Sequence, residues 1–198
     1  AASPAEAEPG PAAAPATLEA LLGTMDVSFV AQALPAARLG CPENAHEAVL
    51  AHYLSTGYLW EEVRMKGGAY GAGASVNGLE GLFTLSSYRD PNLPATLAAF
   101  RRGLELARSC PLSDREFEKV VLGAAGREEK PLAPGEKGYV ALKRELLGIG
   151  DEVRQRRRDE MIRCGLADLR AAAGRLLDAA EGGRVVVLTH RRALEAAG

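Results

Sequence analysis

The sequence predicts an α+β fold in which helices cover one face of a mostly antiparallel sheet. Three observations predict it. The predicted elements run strand, helix, two strands, several helices and a final strand; an Asn-Gly pair joins the two central strands; and apolar residues recur at helical spacing between them. The chain has 198 residues, of which 47% are hydrophobic, so one domain can bury a sizeable core.

The N-terminal elements are predicted from local patterns. Residues 17–22 are predicted to form a short helical turn, and Val27–Pro35 a strand that ends at its proline. A long helix is predicted from Asn44, its N-cap, to Lys66. Gly67 should end this helix because glycine adopts the left-handed conformation at little cost. The buried face of the helix is predicted to comprise Val49, Tyr53, Thr56, Trp60 and Val63.

A hairpin follows the long helix. Strands are predicted at Tyr70–Val76 and Leu82–Tyr88 around the turn-forming pair Asn77-Gly78, and Gly81 indicates a longer or bulged loop. A helix capped by Asp90-Pro91-Asn92 is predicted over residues 93–108. The remaining predicted elements are a helix from the capping box of Ser113 and Glu116 to about residue 129, a short helix over 138–147, a helical region from Asp151 to Ala180 that Gly165 and Gly174 interrupt, and a strand at Arg184–Thr189.

Composition limits the classes of partner. The net charge is −2, so no basic field favours nucleic acid, and no run of about 18 apolar residues predicts a membrane span. Residues 1–16 are predicted to be an Ala/Pro-rich linker, and residues 17–198 the folded domain. We expect a soluble piece of a longer polypeptide, with the cytoplasm and an organelle lumen both open as its compartment. Three widely spaced cysteines indicate buried thiols in a reducing environment.

The common catalytic and metal motifs do not occur in the sequence. His46 and His52 are separated by about 240° around a helix, so they cannot share a metal ion. Neither His-Glu-x-x-His nor His-x-x-Glu-His is present. Cys110 and Cys164 have no evident histidine partner, and no serine lies in a nucleophile elbow. The glycines at 67–73 follow a helix instead of preceding one, which is the wrong order for a phosphate cradle.

The best chemical signal lies where the predicted long helix ends. Arg64 falls in its last turn and Tyr70 at the start of the following strand, so a guanidinium and a phenol converge from two rigid elements. Both groups can donate hydrogen bonds to carbonyl and oxyanion oxygens. A structural alternative is open at this point: Arg64 would complement the helix dipole, and Tyr70 would be a core aromatic residue.

Several stretches resemble a known family. Residues 59–71 and 83–92, and the later segments 131–138 and 154–158, are similar to the C-terminal part of presequence-protease-type zinc metallopeptidases. These enzymes belong to the pitrilysin/insulinase superfamily. The resemblance runs from about Val27 to Leu188 and implies a pitrilysin/insulinase-type metallopeptidase-like α+β domain.

The resemblance implies a function within a larger molecule. Such enzymes consist of four similar α+β domains in two halves, which close around a chamber and degrade short unstructured peptides. Their zinc-binding His-x-x-Glu-His lies in the first domain, whereas the last domain contributes an arginine and a tyrosine, at the positions of Arg64 and Tyr70. The implied partners are the N-terminal catalytic half of the same polypeptide and peptide substrates. We therefore expect this chain alone to bind no stoichiometric zinc and to hydrolyse no peptide, with zinc held elsewhere in the full-length enzyme.

Two alternatives stay open. The chain could serve structure or assembly as a stand-alone pitrilysin-like subunit, as non-peptidase members of the superfamily do, or it could be an unrelated α+β module that binds a small ligand. The reading frame upstream of Ala1 separates the peptidase domain from the stand-alone subunit. A His-x-x-Glu-His there would indicate the peptidase, whereas a frame that starts close to Ala1 would place the partner on another chain.

Overall fold

A computed structural model describes residues 18–128 and 131–197 of the chain, so the predicted linker at residues 1–16 lies outside the described residues. One five-stranded sheet has the strand order β1-β5-β2-β4-β3. Neighbouring strands are antiparallel except β1 and β5, which are parallel. The strands are β1 (Leu18–Leu22), β2 (Ser28–Pro35), β3 (Gly71–Asn77), β4 (Leu82–Asp90) and β5 (Arg184–Thr189).

Helices account for most of the other described residues. The core forms where they meet the sheet: Phe83 and Val187 on the strands and Leu54, Phe100 and Leu176 on the helices are completely or almost completely buried. The predicted α+β class is confirmed. No helix among the described residues has the length and apolar character that a bilayer span requires. The helices are α1 (Pro42–Thr56), a π-helix (Trp60–Lys66), α2 (Leu93–Ser109), α3 (Asp114–Glu128), α4 (Pro134–Leu146), α5 (Asp151–Arg163), α6 (Leu166–Ala179) and α7 (Arg191–Ala197).

The helical turn predicted for residues 17–22 is wrong. Leu18–Leu22 forms strand β1, which pairs in register from Leu18 opposite Val185 to Leu22 opposite Thr189. The partner strand β5 comes from the other end of the chain. No local pattern within five residues reveals such a pairing, because β structure depends on its cross-strand neighbours.

The long helix predicted from Asn44 to Lys66 is two helices. The first, α1, begins at Pro42 with Cys41 as its N-cap and ends before Gly57; the second is the π-helix. Asn44 is therefore not the N-cap. Its buried side chain instead donates a hydrogen bond to the Ala37 carbonyl (2.8 Å) and accepts one from Arg157 Nε (2.8 Å), which ties α1 to α5.

The break also changes which residues of this segment are buried. Val49 and Val63 lie in the core as predicted, but Thr56 is exposed and Trp60 is 43% exposed. Two leucines, Leu54 and Leu59, occupy the core positions instead. A π-helix advances by more residues per turn than an α-helix, so a face extrapolated at 3.6 residues per turn loses its phase after Gly57.

Several other predicted boundaries hold. The hairpin has a loop over residues 78–81 with Gly81 at φ 70°, and β5 has its predicted bounds. Ser113 N–H donates to Glu116 Oε2 (2.9 Å), and this bond and that from the Ser113 hydroxyl lower the pKa of the Glu116 carboxyl. Gly165 separates α5 from α6 as predicted, whereas Gly174 lies within α6 and does not interrupt it.

The two faces of the sheet differ. On one face, Val30, Leu34 and Phe83 are buried beneath the helices. On the other, the central residues are small or neutral, with Ala31 paired to Ser86 and Val186, and Ser86 paired to Gly73. Ala31 and Ser86 are half-buried, and Val186 is 42% exposed. Arg184 of β5, paired to Ala33, lies on the same side towards the margin. This second surface, the open face, therefore has small uncharged residues at its centre.

Candidate functional site

Arg64 lies on the π-helix, directly before the hairpin. The Glu62 carbonyl accepts a hydrogen bond from Gly67 N–H (2.9 Å), the i to i+5 pattern of this helix type. Such turns are rare, and they occur frequently at functional sites. Val63, one residue before Arg64, is buried, while the Arg64 side chain is half-buried. The backbone that carries the guanidinium is therefore anchored in the core.

Two glycines connect the π-helix to β3. A Cβ atom on Gly67 would lie 2.6 Å from the Val63 carbonyl oxygen, so no larger residue fits there. The left-handed conformation predicted for Gly67 is wrong, since its φ is −78°; Gly68 adopts it instead, at φ 81°. The Gly68 N–H donates to the Arg64 carbonyl (3.1 Å), which closes the last turn. This tight junction fixes the position of Tyr70 relative to Arg64.

The two basic residues of the π-helix have different partners. Lys66 Nζ contacts carboxylate oxygens of Glu61 (2.9 Å) and Glu62 (2.6 Å), and these bonds raise the pKa of the lysine. The Arg64 guanidinium instead lies over the Trp60 ring, 3.9 Å from its centroid. Among the described residues, no carboxylate lies within ion-pair distance of Arg64. Its donors are thus held in place by an aromatic surface and left free for an external acceptor.

Tyr70 belongs to an aromatic cluster at the end of the open face. Its ring lies 5.9 Å from the Tyr88 ring, which lies 5.1 Å from the Phe29 ring, both in edge-to-face geometry. Tyr70 N–H donates to the Tyr88 carbonyl (3.1 Å). The side chain is nevertheless 68% exposed, so the core-aromatic interpretation of Tyr70 does not fit. We call Phe29, Tyr70 and Tyr88 the aromatic cluster.

The backbone next to this cluster is strained. Arg89 has φ 51°, a left-handed conformation that is uncommon for a residue other than glycine. Its carbonyl also receives the Tyr70 N–H, at 3.4 Å. Such conformations cost about 1–3 kcal/mol and cluster at functional sites. The strained Arg89 and the π-helix both lie beside Arg64 and Tyr70, so the local backbone conformation here is not the most stable one available.

A groove runs from Trp60 along the edge strand β3. It is open to solvent, has a volume of about 520 Å³, and is lined by small residues of α1, β3 and β4 and by Arg127 of α3. Within it, Ser55 Oγ accepts a hydrogen bond from Ala74 N–H (2.8 Å), and its single proton is shared between the Ala51 carbonyl (2.7 Å) and the Ala74 carbonyl (3.2 Å). Ser55 therefore satisfies the outward backbone groups at the middle of the edge strand, which limits uncontrolled strand pairing there.

The structure thus places both predicted site residues at one junction, on the accessible side of the sheet. Their side chains make no hydrogen bond to each other, so neither consumes the other's donors. Sequence reasoning missed Trp60 and Tyr88, which support them; Trp60 was assigned to the buried face. The signal was present, because Trp60 and Arg64 are four residues apart on a helical segment and such pairs face each other.

Two thiols differ from their predicted surroundings: Cys41 is exposed, and Cys164 has a histidine neighbour. Cys164, expected to have no histidine partner, lies near His46. Burial, and then the nearby Asp168 carboxylate, raise the pKa of the Cys164 thiol to about 12, so it is a poor nucleophile. Cys110 is buried next to Tyr53, away from this cluster. His46 and His52 do not meet at a shared site among the described residues.

Comparison with known sequences identifies a consistent set of relatives. The family model described as the PreP C-terminal domain matches residues 19–191. "Presequence protease 1, chloroplastic/mitochondrial" of Arabidopsis thaliana is 33% identical over 152 residues, which cover 77% of this chain and 14% of that protein. "Presequence protease, mitochondrial" of Danio rerio is 36% identical over 152 residues, with 77% and 14% covered. The chain therefore spans about one seventh of the length of these relatives.

Solved structures share the fold. A protease from Helicobacter pylori superposes with a TM-score of 0.71 at 15% identity, over 86% of this chain and 43% of that one. A peptidase M16 inactive domain from Pseudomonas fluorescens superposes with a TM-score of 0.67 at 14% identity, over 91% and 47% of the two chains. At these identities the likeness concerns the fold alone.

Proposed function

The chain belongs to the family of presequence-protease C-terminal domains, and on that premise we propose that it binds substrate and stabilises the oxyanion for a zinc metalloendopeptidase. The catalytic zinc and its ligands would lie in the N-terminal half of the same polypeptide, across a chamber that closes around short unstructured peptides. This chain would supply Arg64 and Tyr70. The names of several relatives place those proteins in mitochondria or chloroplasts, which agrees with an organelle lumen as one compartment left open by the sequence.

One observation carries the proposal: two hydrogen-bond donors stand free on rigid supports. Arg64 lies 3.9 Å above Trp60 with no carboxylate partner among the described residues, and Tyr70 is 68% exposed beside Tyr88. Both groups are open to solvent, so a substrate oxygen that enters the site can replace the water bound to them. Donors that are oriented but unused are what a site for an external oxyanion requires.

The chemistry follows from the two groups. Zinc bound in the other half supplies polarisation of the scissile carbonyl and activation of water. Arg64 would donate charge-assisted hydrogen bonds to the carbonyl oxygen as negative charge develops on it, and Tyr70 a neutral one. Both would also orient the peptide backbone. Because the donors belong to a different domain from the zinc, the complete site would form only when the halves close on substrate.

The open face fits an unstructured peptide substrate. Its central row of Ala31, Ser86 and Gly73 has no charge and little side-chain volume, so the backbone of a bound peptide can approach closely. The aromatic cluster at one end offers apolar contact area near Tyr70. A surface without charged side chains at its centre favours no particular peptide sequence, as degradation of varied peptides requires.

The 198-residue chain alone is expected to hydrolyse no peptide, because neither zinc-peptidase motif occurs in it. The measurement is cleavage of a quenched fluorescent peptide by the purified chain, with and without added zinc. The full-length protein serves as the positive control. Cleavage by the isolated chain that a chelator abolishes would overturn this assignment.

Trp60 is expected to be a positioning residue for Arg64. In the full-length protein, Trp60→Leu should lower kcat by about two- to five-fold. This factor corresponds to the loss of one exposed cation–π contact, which contributes about 0.5–1 kcal/mol. Trp60→Phe keeps an aromatic surface and should recover most of that loss. Equal effects of the two substitutions, or a change confined to KM, would contradict the positioning role.

A structural subunit is the second candidate. The peptidase M16 inactive domain from Pseudomonas fluorescens has a similar fold, so the fold alone does not imply a direct part in catalysis. On this reading, Arg64 and Tyr70 would tolerate replacement without loss of turnover in the full-length protein. Turnover of the Arg64→Ala and Tyr70→Phe variants distinguishes the two candidates.

A further inference from the structure

Three potential metal ligands meet at the junction of three helices, away from the Arg64–Tyr70 junction. His46 lies in the second turn of α1, Cys164 directly follows α5, and Asp168 lies in the first turn of α6. Their ligand atoms all lie within 4.8 Å of one another. His46 is more than 100 residues away from Cys164 and Asp168 in the sequence, and the Cys164–Asp168 spacing matches no common metal-binding motif. Only the fold therefore reveals the cluster.

The ligand types select a class of metal. A cysteine sulfur, an imidazole and a carboxylate are ligands that zinc accepts, with bonds of about 2.3, 2.0–2.1 and 2.0–2.2 Å, and the Cys164 thiol would release its proton when the metal binds. In tetrahedral geometry such bonds place the ligand atoms about 3.3–3.6 Å apart. The present spacing of up to 4.8 Å therefore needs a contraction of about 1 Å, which side-chain rotation can supply. Calcium and magnesium would require more oxygen ligands than the cluster offers.

The surroundings support the ligands. Cys164 is only 6% exposed, and its N–H donates to the Met161 carbonyl (3.3 Å) at the end of α5. Asp168 Oδ2 accepts a hydrogen bond from Gly165 N–H (2.9 Å), which orients the carboxylate and leaves its other oxygen for a metal. His46 and Asp168 are half-buried, so solvent reaches the cluster.

We propose that His46, Cys164 and Asp168 bind one zinc ion, with water in the fourth position. The ion would link α1, α5 and α6 and is independent of both the catalytic zinc and the proposed function. This site departs from the expectation, implied by the family resemblance, that the chain alone binds no stoichiometric zinc. Its role is structural, because binding would favour the folded state in which the three helices meet.

The test is metal titration of the whole 198-residue chain. A Cys41→Ser background removes the exposed thiol, which would otherwise compete. Cobalt(II) is added as a spectroscopic probe, and zinc is added in competition. We expect saturation at one equivalent, a thiolate-to-cobalt charge-transfer absorption, loss of that absorption on adding zinc, and a zinc-dependent rise in melting temperature.

Matched substitutions locate the metal. Cys164→Ser should abolish the charge-transfer absorption and weaken zinc binding by more than about 100-fold, since loss of outer-shell partners alone costs about 10–100-fold. His46→Gln should weaken binding comparably. Asp168→Asn keeps an acceptor for Gly165 N–H but loses the charge, so it should weaken binding without unfolding α6. Cys110→Ala, at another buried thiol, should leave cobalt absorption and zinc affinity unchanged.

Failure has distinct signatures. No charge-transfer absorption in the parent chain, or the same absorption after Cys164→Ser, overturns the site. The Asp168→Asn variant keeps an acceptor for Gly165 N–H, so it should bind zinc more weakly and keep its helical circular dichroism. If binding is lost only in variants that also lose helical circular dichroism, the site is overturned as well. Peptide cleavage by the zinc-loaded chain would instead overturn the proposed function and leave this site intact.

Discussion

Replacing Arg64 by alanine in the full-length protein is expected to lower kcat for peptide hydrolysis by about 10²–10³-fold. The physical reason is the loss of a charge-assisted donor to the developing oxyanion, which is worth about 2.7–4 kcal/mol in comparable sites. KM should change much less, because the interaction strengthens as the transition state forms. Zinc content, measured by elemental analysis, should be unchanged because the proposed function assigns the catalytic ligands to another domain.

Two controls make this result specific. Lys66→Ala removes a cation from the same π-helix, but its ammonium is already paired with Glu61 and Glu62, so turnover should stay close to wild type. Arg64→Lys keeps the charge but loses the planar fork and its stacking on Trp60, so it should restore only part of the loss. Wild-type turnover in Arg64→Ala would return Arg64 to a structural role and favour the structural-subunit candidate.

The fold was predictable where the signals are local. Strand β5 follows from its run of β-branched residues, the hairpin from Asn77-Gly78, and α3 from the Ser113–Glu116 capping box. These features depend on residues that are close in sequence, so the pattern contains the whole physical cause. Strand β1 does not follow, because its ladder partner β5 lies at the opposite end of the chain.

The sequence predicts that Arg64 and Tyr70 lie at one junction, and the structure has them there, whereas their role as site residues stays a prediction. The residues that surround them were not predictable. The π-helix was not expected, since its extra residue per turn leaves no distinctive pattern in sequence and moves Trp60 from the predicted core to the surface. That displacement is what places an aromatic ring beneath the guanidinium. The cluster of His46, Cys164 and Asp168 also needed tertiary structure.

Tyr70→Phe in the full-length protein is expected to lower kcat by about 10²-fold, less than Arg64→Ala. The substitution removes only the phenolic oxygen, and a neutral donor contributes less to an oxyanion than a charged one. The aromatic ring stays, so its edge-to-face contact with Tyr88 should persist and the melting temperature should be unchanged. The measurement is steady-state kinetics beside a thermal melt.

Tyr88 provides the matched control, because it is the neighbouring phenol and is 49% exposed on the same surface. Tyr88→Phe should retain turnover, since its role in the aromatic cluster depends on the ring alone. If Arg64 and Tyr70 act on one oxyanion, the double variant Arg64→Ala/Tyr70→Phe should lose less than the product of the single losses. Strict multiplication would indicate separate tasks, with Tyr70 holding the substrate backbone while Arg64 stabilises the charge. Equal losses in Tyr70→Phe and Tyr88→Phe would contradict a donor role for Tyr70, because the aromatic cluster would then account for both.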